Sequence, residues 1–128
     1  MAIILVADDN TMLRKTIRTV LEKANHTVLE AQNGEETIRI LRDSAVDVLL
    51  LDVIMPGKGG LETMLEMNSG KITTRIVVMT GKLDTTSEPF QAICRRFHAE
   101  KILTKPFTNI SLLQTIAEIT QPPGDNQC

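Results

Sequence analysis

Three aspartates follow apolar segments of this chain, at points where side chains could do chemistry. Asp8 and Asp9 come directly after the apolar residues 3–7, and Asp52 follows the apolar residues 48–51. Carboxylates that lie close together repel one another and take up protons unless a cation lies among them. Oxygen ligands without a neighbouring histidine or cysteine select a hard ion, and a site with few protein ligands and several waters suits Mg²⁺ better than Ca²⁺. These three aspartates would therefore form a magnesium site where they lie close together in the fold.

Two further polar residues have the same placement. Thr80 follows the apolar residues 76–79, and Lys105 comes shortly after residues 102–103. Each residue alone is more often a helix cap or a turn former than a functional group. In an open parallel sheet, however, functional groups gather beyond the carboxyl ends of the strands. Polar groups at four of five predicted strand ends therefore indicate one functional edge.

The elements that position these residues alternate along the chain. Strands are predicted at residues 3–7, 27–31, 48–51, 76–79 and 102–103. Helices are predicted over the apolar stripe 13–24, after a cap at Asn33, from about 60 to 67, from about 88 to 97, and around residues 110–117. Strict alternation needs crossover connections, so the pattern predicts a doubly wound α/β fold with a five-stranded parallel sheet.

The length of the chain suits a single domain. Its 128 residues allow one hydrophobic core, which we expect within residues 1–120. The polar, proline-containing residues 121–128 are expected to be a disordered tail or the stump of a linker.

Composition argues against several classes of protein. A formal net charge of −2 and the lack of Trp and Tyr speak against direct nucleic-acid binding. We interpret the adjacent basic pairs, Arg14-Lys15 and Arg95-Arg96, as solvated helix faces. The apolar N-terminal run is too short for a signal peptide or a membrane span, and Cys94 and Cys128 do not suggest a disulfide framework. We therefore expect a cytoplasmic protein without membrane contact.

The chain resembles the receiver domain of two-component response regulators, from Ile3 to about Ile119. The matching motifs are Asp8-Asp9 after the first strand, Asp52 in LLDVIMPG, Thr80 in VMTG, and Lys105-Pro106-Phe107. Each motif alone is weak, but all of them in register are specific. The resemblance implies a flavodoxin-like, CheY-like (βα)5 fold.

The resemblance also implies a role for each site residue. Asp52 would accept a phosphoryl group; Asp9 would bind Mg²⁺ directly, Asp8 largely through water, and the backbone carbonyl of Ile54 would supply a further ligand. Lys105 would pair with the Asp52 carboxylate and later with a phosphoryl oxygen.

Two more features of the switch are implied by the same resemblance. Thr80 would reach toward the phosphoryl group with its hydroxyl, and a cis Lys105–Pro106 bond would aim the lysine into the pocket.

Partners follow from the family as well. The phosphoryl donor would be a sensor histidine kinase or a phosphotransfer protein. The output would pass through the face formed by the fourth helix, the fifth strand and the fifth helix to an unidentified output protein or to an effector domain outside this chain; a dimer could use the same face. Such a domain is a signalling switch rather than a metabolic enzyme, and catalyses only its own phosphorylation and dephosphorylation.

The chain departs from the family pattern at three positions. Many receivers carry an aromatic residue three positions before the lysine, where this chain has Ile102, so the aromatic switch residue is replaced here by an aliphatic one. Ile54 and Lys82 flank the predicted phosphorylation site and offer no carboxylate or amide to orient an attacking water. Slow self-dephosphorylation is the implied result.

Three alternatives remain open. A degenerate receiver that acts only as a protein-interaction module has Ile102 as its sole support. An Asp-nucleophile phosphohydrolase would need a second acid two residues after Asp52, where Ile54 stands. A flavin- or cobalamin-binding module would need a phosphate cradle in the first loop, which begins with the acidic Asp9 and has the wrong charge.

Overall fold

The strands of the computed structural model form one parallel sheet. The structure describes residues 1–55, 57–81, 92, 95–96 and 99–120. The strands are β1 Ile3–Ala7, β2 Thr27–Ala31, β3 Val48–Asp52, β4 Arg75–Thr80 and β5 Ala99–Thr104. Their order is β2-β1-β3-β4-β5, and every neighbouring pair is parallel. The predicted doubly wound parallel sheet is confirmed, and its topological switch point lies between β1 and β3.

Four helices lie in the described part of the chain: α1 Thr11–Lys23, α2 Gly34–Asp43, α3 Gly60–Ser69 and α4 Asn109–Thr120. The helix predicted over residues 88–97 and the tail 121–128 fall largely or wholly outside the described residues. Among the described helices, none is both long and apolar enough to cross a membrane.

Side-chain caps explain where three of the helices begin. The Asn10 side chain accepts a hydrogen bond from the backbone N–H of Leu13 at the start of α1. The predicted cap Asn33 accepts one from Glu36 N at 2.8 Å, and the Thr108 hydroxyl accepts one from Ser111 N at 3.0 Å. Each cap satisfies a backbone donor that the first helical turn leaves unpaired.

Alternate residues of the central strands enter two different cores, because side chains along a strand point to opposite faces. One core joins the sheet to α2 and α3 and includes Leu5, Leu49, Leu51, Val78, Ile38 and Met64. The other joins the sheet to α1 and α4 and includes Val6, Leu50, Val77, Ile17, Leu21 and Ile116. All five residues of β3 are buried, as a strand covered on both faces requires. The carboxyl ends of β1 and β3 are thereby held side by side.

Candidate functional site

Three aspartates meet at the carboxyl ends of β1 and β3. One carboxylate oxygen from each of Asp8, Asp9 and Asp52 lies within 4.8 Å of the other two. Asp8 is fully buried, Asp52 is 7% exposed, and Asp9 faces solvent. The structure therefore brings together the acidic residues that the sequence placed at two separate strand ends.

Lys105 lies between two of these carboxylates. Its Nζ is 2.7 Å from Asp8 Oδ2 and 3.3 Å from Asp52 Oδ1. Sequence reasoning anticipated the contact with Asp52 but not the shorter one with Asp8. The Lys105–Pro106 peptide bond is cis, so this prediction is confirmed.

The charges of the cluster do not balance. Among the residues that the structure describes, three carboxylates face a single ammonium group within the cluster. Burial and the Asp8 charge raise the pKa of Asp52, although contacts with Lys105 and the backbone N–H of Ile54 oppose that rise. Burial lowers the pKa of Lys105, but its contacts with Asp8 and Asp52 outweigh this and raise that pKa overall. A cation among the carboxylates would remove the remaining repulsion.

Thr80 lies on the neighbouring strand. Asp52 is aligned with Met79 across β3 and β4, so Thr80 is one position beyond the partner of Asp52. Thr80 is 2% exposed, and its backbone carbonyl accepts a hydrogen bond from Lys105 N at 2.7 Å. The ends of β4 and β5 are thereby joined next to the acidic cluster.

The described positions predicted to tune the lifetime of the phosphorylated state or to replace the switch aromatic differ from one another in exposure. The Ile54 side chain, in the connection from β3 to α3, is 64% exposed. Ile102 on β5 is partly buried and packs against the core on the α2–α3 side of the sheet. Lys82 lies outside the described residues.

Arg14 is a residue whose placement the sequence analysis got wrong. Lys15 is exposed, as expected for a solvated helix face, but Arg14 is only 8% exposed. Its Nη1 donates to the backbone carbonyl of Asp8 at 2.7 Å, and its Nε donates to Glu30 Oε1 at 2.7 Å. The sequence spacing could have indicated that Arg14 is buried. Arg14 precedes the buried Ile17 by three positions and therefore shares its helix face.

Helix α3 begins directly against the end of β3. A Cβ added to Gly60 would lie 2.4 Å from the backbone oxygen of Asp52 and 2.7 Å from the Cα of Val53. The backbone N–H of Gly60 donates to the carbonyl of Val53 at 2.8 Å. Only a residue without a side chain allows this approach, and it fixes the backbone that follows Asp52.

Comparison with known proteins identifies the family. Residues 4–117 match the sequence model of the response regulator receiver domain. The chain therefore belongs to the response regulator receiver domain family. It is 33% identical to the protein PilH of Pseudomonas aeruginosa over 118 residues, which cover 91% of this chain and 95% of PilH.

Other relatives are longer proteins. The chain is 33% identical to the sensory/regulatory protein RpfC of Xanthomonas campestris over 119 residues, covering 90% of this chain and 16% of RpfC. It is 32% identical to the response regulator RR06 of Streptococcus pneumoniae over 113 residues, covering 88% of this chain and 50% of RR06. It thus spans half or less of these two relatives.

Solved structures agree with the CheY-like fold. The chemotaxis protein CheY4 of Vibrio cholerae superposes with a TM-score of 0.81 at 28% identity, covering 93% of this chain and 98% of CheY4. The receiver domain of the Francisella response regulator 1452 gives a TM-score of 0.83 at 22% identity, covering 93% and 96% of the two chains.

Proposed function

We propose that this chain is a phospho-accepting signalling switch of a two-component phosphorelay, phosphorylated on Asp52 with the help of Mg²⁺. The observation that carries the proposal is the meeting of Asp52 with two other carboxylates within 4.8 Å and with Lys105 Nζ at 3.3 Å. Membership of the receiver family supports it.

Asp52 is the nucleophile in this proposal. One of its carboxylate oxygens attacks the phosphorus atom of the donor, and an O–P bond forms. The bond from phosphorus to the donor's nitrogen or oxygen breaks, and the leaving group keeps the electron pair. Lys105 favours the ionised carboxylate that this attack needs, and its positive charge faces the oxygens of the incoming phosphoryl group.

The donor groups fit a magnesium ion. Asp9, Asp52 and the backbone carbonyl of Ile54 would hold it directly and Asp8 largely through water, and all of these donors are oxygen atoms, as Mg²⁺ prefers. When bound, the ion neutralises charge on the transferring group.

The contacts of Asp8 support an indirect role for its carboxylate. Asp8 Oδ1 accepts a hydrogen bond from Asn10 N at 2.9 Å, and Oδ2 accepts one from Lys105 Nζ at 2.7 Å. Both oxygens are thus engaged, whereas the exposed Asp9 has open access to an ion that keeps several waters.

The conformational response to phosphorylation would begin at the ends of β4 and β5. The Thr80 hydroxyl and Lys105 would contact the phosphoryl group, and their backbone hydrogen bond couples the two strand ends. A shift there would bias the face that includes β5 and α4. Ile102 already packs against the core, so we expect it to keep its position in the phosphorylated state.

The partners proposed are a histidine kinase or phosphotransfer protein as donor, and an output protein or further domain as receiver of the signal. Several relatives are longer regulators, of which the matched region is about half or less. A dimer through the face that includes β5, α4 and the helix predicted at about residues 88–97 is a further form of output.

The test is labelling with a small phosphodonor. Acetyl phosphate or phosphoramidate with Mg²⁺ should add one phosphoryl group, seen by intact-protein mass, and a chelator should prevent it. Asp52→Asn should remove the label, while Asp43→Asn, a control at the exposed end of α2, should keep it. Undiminished labelling of the Asp52 variant would show that the acceptor lies elsewhere.

A further inference from the structure

We propose that Arg14 is a positioning residue for the acidic loop, and that it raises the affinity of the site for Mg²⁺ without touching the ion. It would act by holding the backbone between Asp8 and Asp9. This inference rests on the proposed function, because that function places Mg²⁺ beside these aspartates.

Arg14 contacts two groups, one in the acidic loop and one on β2. Its guanidinium group donates from Nη1 to the carbonyl oxygen of Asp8 and from Nε to Glu30 Oε1, both at 2.7 Å. The Arg14 and Glu30 side chains are 10% and 12% exposed. Because the guanidinium group is planar and rigid and is bonded at two edges, it holds the Asp8 carbonyl in one orientation.

The carbonyl oxygen of Asp8 belongs to the peptide group that leads to Asp9. Because a peptide group is planar, the direction of this carbonyl fixes the direction of the Asp9 N–H and limits where the Asp9 side chain can point. The other polar groups of Asp8 are also occupied: its N–H donates to Ala31 O at 3.1 Å, and its carboxylate binds Asn10 and Lys105. Arg14 thus completes a set of hydrogen bonds that holds the backbone and the side chain of Asp8 in one conformation.

Glu30 reduces the effect of the Arg14 charge on the aspartate cluster. It faces Arg14 through Oε1, and Lys15 and Arg18 through Oε2 at 3.2 and 2.8 Å. Glu30 therefore offsets part of the charge of Arg14, although three cations share its single negative charge. In the described part of the chain the carboxylates of the cluster outnumber its ammonium group, and this excess negative charge attracts a divalent cation while Arg14 holds the backbone in place.

Arg18 provides a matched control. It lies one turn further along α1 and contacts the same carboxylate, Glu30, but its hydrogen bonds go to Glu30 and Glu22 rather than to Asp8. Removal of Arg18 therefore weakens the ion-pair network without releasing the acidic loop. A purely structural role of the network predicts the same effect for both arginines.

The experiment compares wild type, Arg14→Lys and Arg18→Ala. Lysine keeps the charge at position 14 but is a point donor that cannot hold both partners in a fixed plane. Mg²⁺ affinity is measured by titration calorimetry, because the chain has no Trp or Tyr for intrinsic fluorescence. We expect about tenfold weaker binding for Arg14→Lys, the effect typical of residues that orient metal ligands, and wild-type binding for Arg18→Ala.

A second readout does not depend on the metal. The amide of Asn10, which donates to Asp8 Oδ1, should exchange with solvent faster in Arg14→Lys than in wild type, while amides of β3 stay unchanged.

The outcomes separate the two proposals. Absence of Mg²⁺ binding in the wild type would refute the proposed function and this inference together. Wild-type affinity in Arg14→Lys, or equal weakening in both variants, would refute the role of Arg14 and leave the proposed function standing.

Discussion

Asp9 differs from its two neighbours in the cluster in being exposed, and its carboxylate has no contact with Lys105. Asp8 is fully buried, with both carboxylate oxygens engaged. Two residues that are adjacent in the chain therefore have different surroundings, and the proposed function gives them different roles. The exposed one has room for a hydrated ion, and the buried one holds the lysine.

This difference makes a testable prediction. Asp9→Ala should weaken Mg²⁺ binding by more than about 100-fold, beyond the range for residues that only orient ligands, and Asp8→Ala by about tenfold. Calorimetric titration checks both values, and the two variants control for each other because each removes one negative charge. Wild-type affinity in Asp9→Ala would remove its role as a ligand.

The resemblance to receiver domains implies that residues 54 and 82 set the lifetime of the proposed phosphorylated state. The exposed Ile54 presents apolar surface beside the site, and Lys82 has no group to accept a proton from an attacking water. The double variant Ile54→Asn, Lys82→Glu should release phosphate about tenfold faster, which needs only about 1.4 kcal/mol of barrier. Phosphate release from purified phosphoprotein measures this, with each single variant as control. Equal release rates would contradict the argument.

Among the elements, the junction of β3 and α3 positions the site most directly. Helix α3 starts eight positions after Asp52, and its first residue, Gly60, touches the backbone of Asp52 and Val53. The helix therefore supports the backbone that carries the proposed nucleophile.

Gly60→Ala tests this support. In a helix, alanine is usually better than glycine by about 0.5–1 kcal/mol, but here the added Cβ would clash with backbone atoms and overpacking costs about 1–3 kcal/mol. We expect lower stability in urea unfolding and slower phosphorylation from acetyl phosphate. Gly70→Ala at the other end of α3, where the nearest atom to the new Cβ is 3.3 Å away, is the control. Equal effects of the two variants would show that the contact at Gly60 is not special.

At the scale of the whole molecule, Glu30 joins α1 to the sheet and contributes stability that depends on pH. Burial alone would raise the pKa of Glu30, but hydrogen bonds and charges from Arg18, Arg14 and Lys15 overcome it and lower that pKa from 4.5 to about 2. The unfolded chain then binds more protons than the folded chain between these values. The stabilisation is therefore present above about pH 4.5 and is lost as the pH falls toward 2.

Glu30→Gln should lack this pH-dependent component. Between pH 4.5 and 2.5 the wild type should lose up to about 2 kcal/mol more unfolding free energy than the variant. Urea unfolding at several pH values measures the difference. His26, whose pKa is lowered by burial, contributes alike to both proteins. Glu35→Gln, at an exposed position of α2, should follow the wild type; parallel loss in wild type and Glu30→Gln would contradict the prediction.

The local pattern of apolar residues was enough to predict the sheet. Residues 3–7 and 27–31 were predicted with the bounds observed for β1 and β2. The edge strand β5 was predicted only at residues 102–103, although it extends over Ala99–Thr104. Glu100 and Lys101 are exposed there, so the apolar signal is weak at the edge of the sheet.

The same logic predicted which side chains meet. The carboxyl ends of neighbouring parallel strands share one edge, so strand order alone predicts that the aspartates lie at a single site. The roles of these residues in phosphoryl transfer stay predictions until labelling and metal binding are measured.

Three features of the site were decided only by the tertiary structure. Lys105 contacts Asp8 more closely than Asp52, across 97 positions of sequence; Arg14 turns inward to the acidic loop; and Gly60 touches the end of β3. Each depends on the distance and direction between packed elements, to within about an ångström. Hydrophobic periodicity encodes which face of an element is buried, but not how far a particular side chain or backbone atom lies from its neighbour across the core.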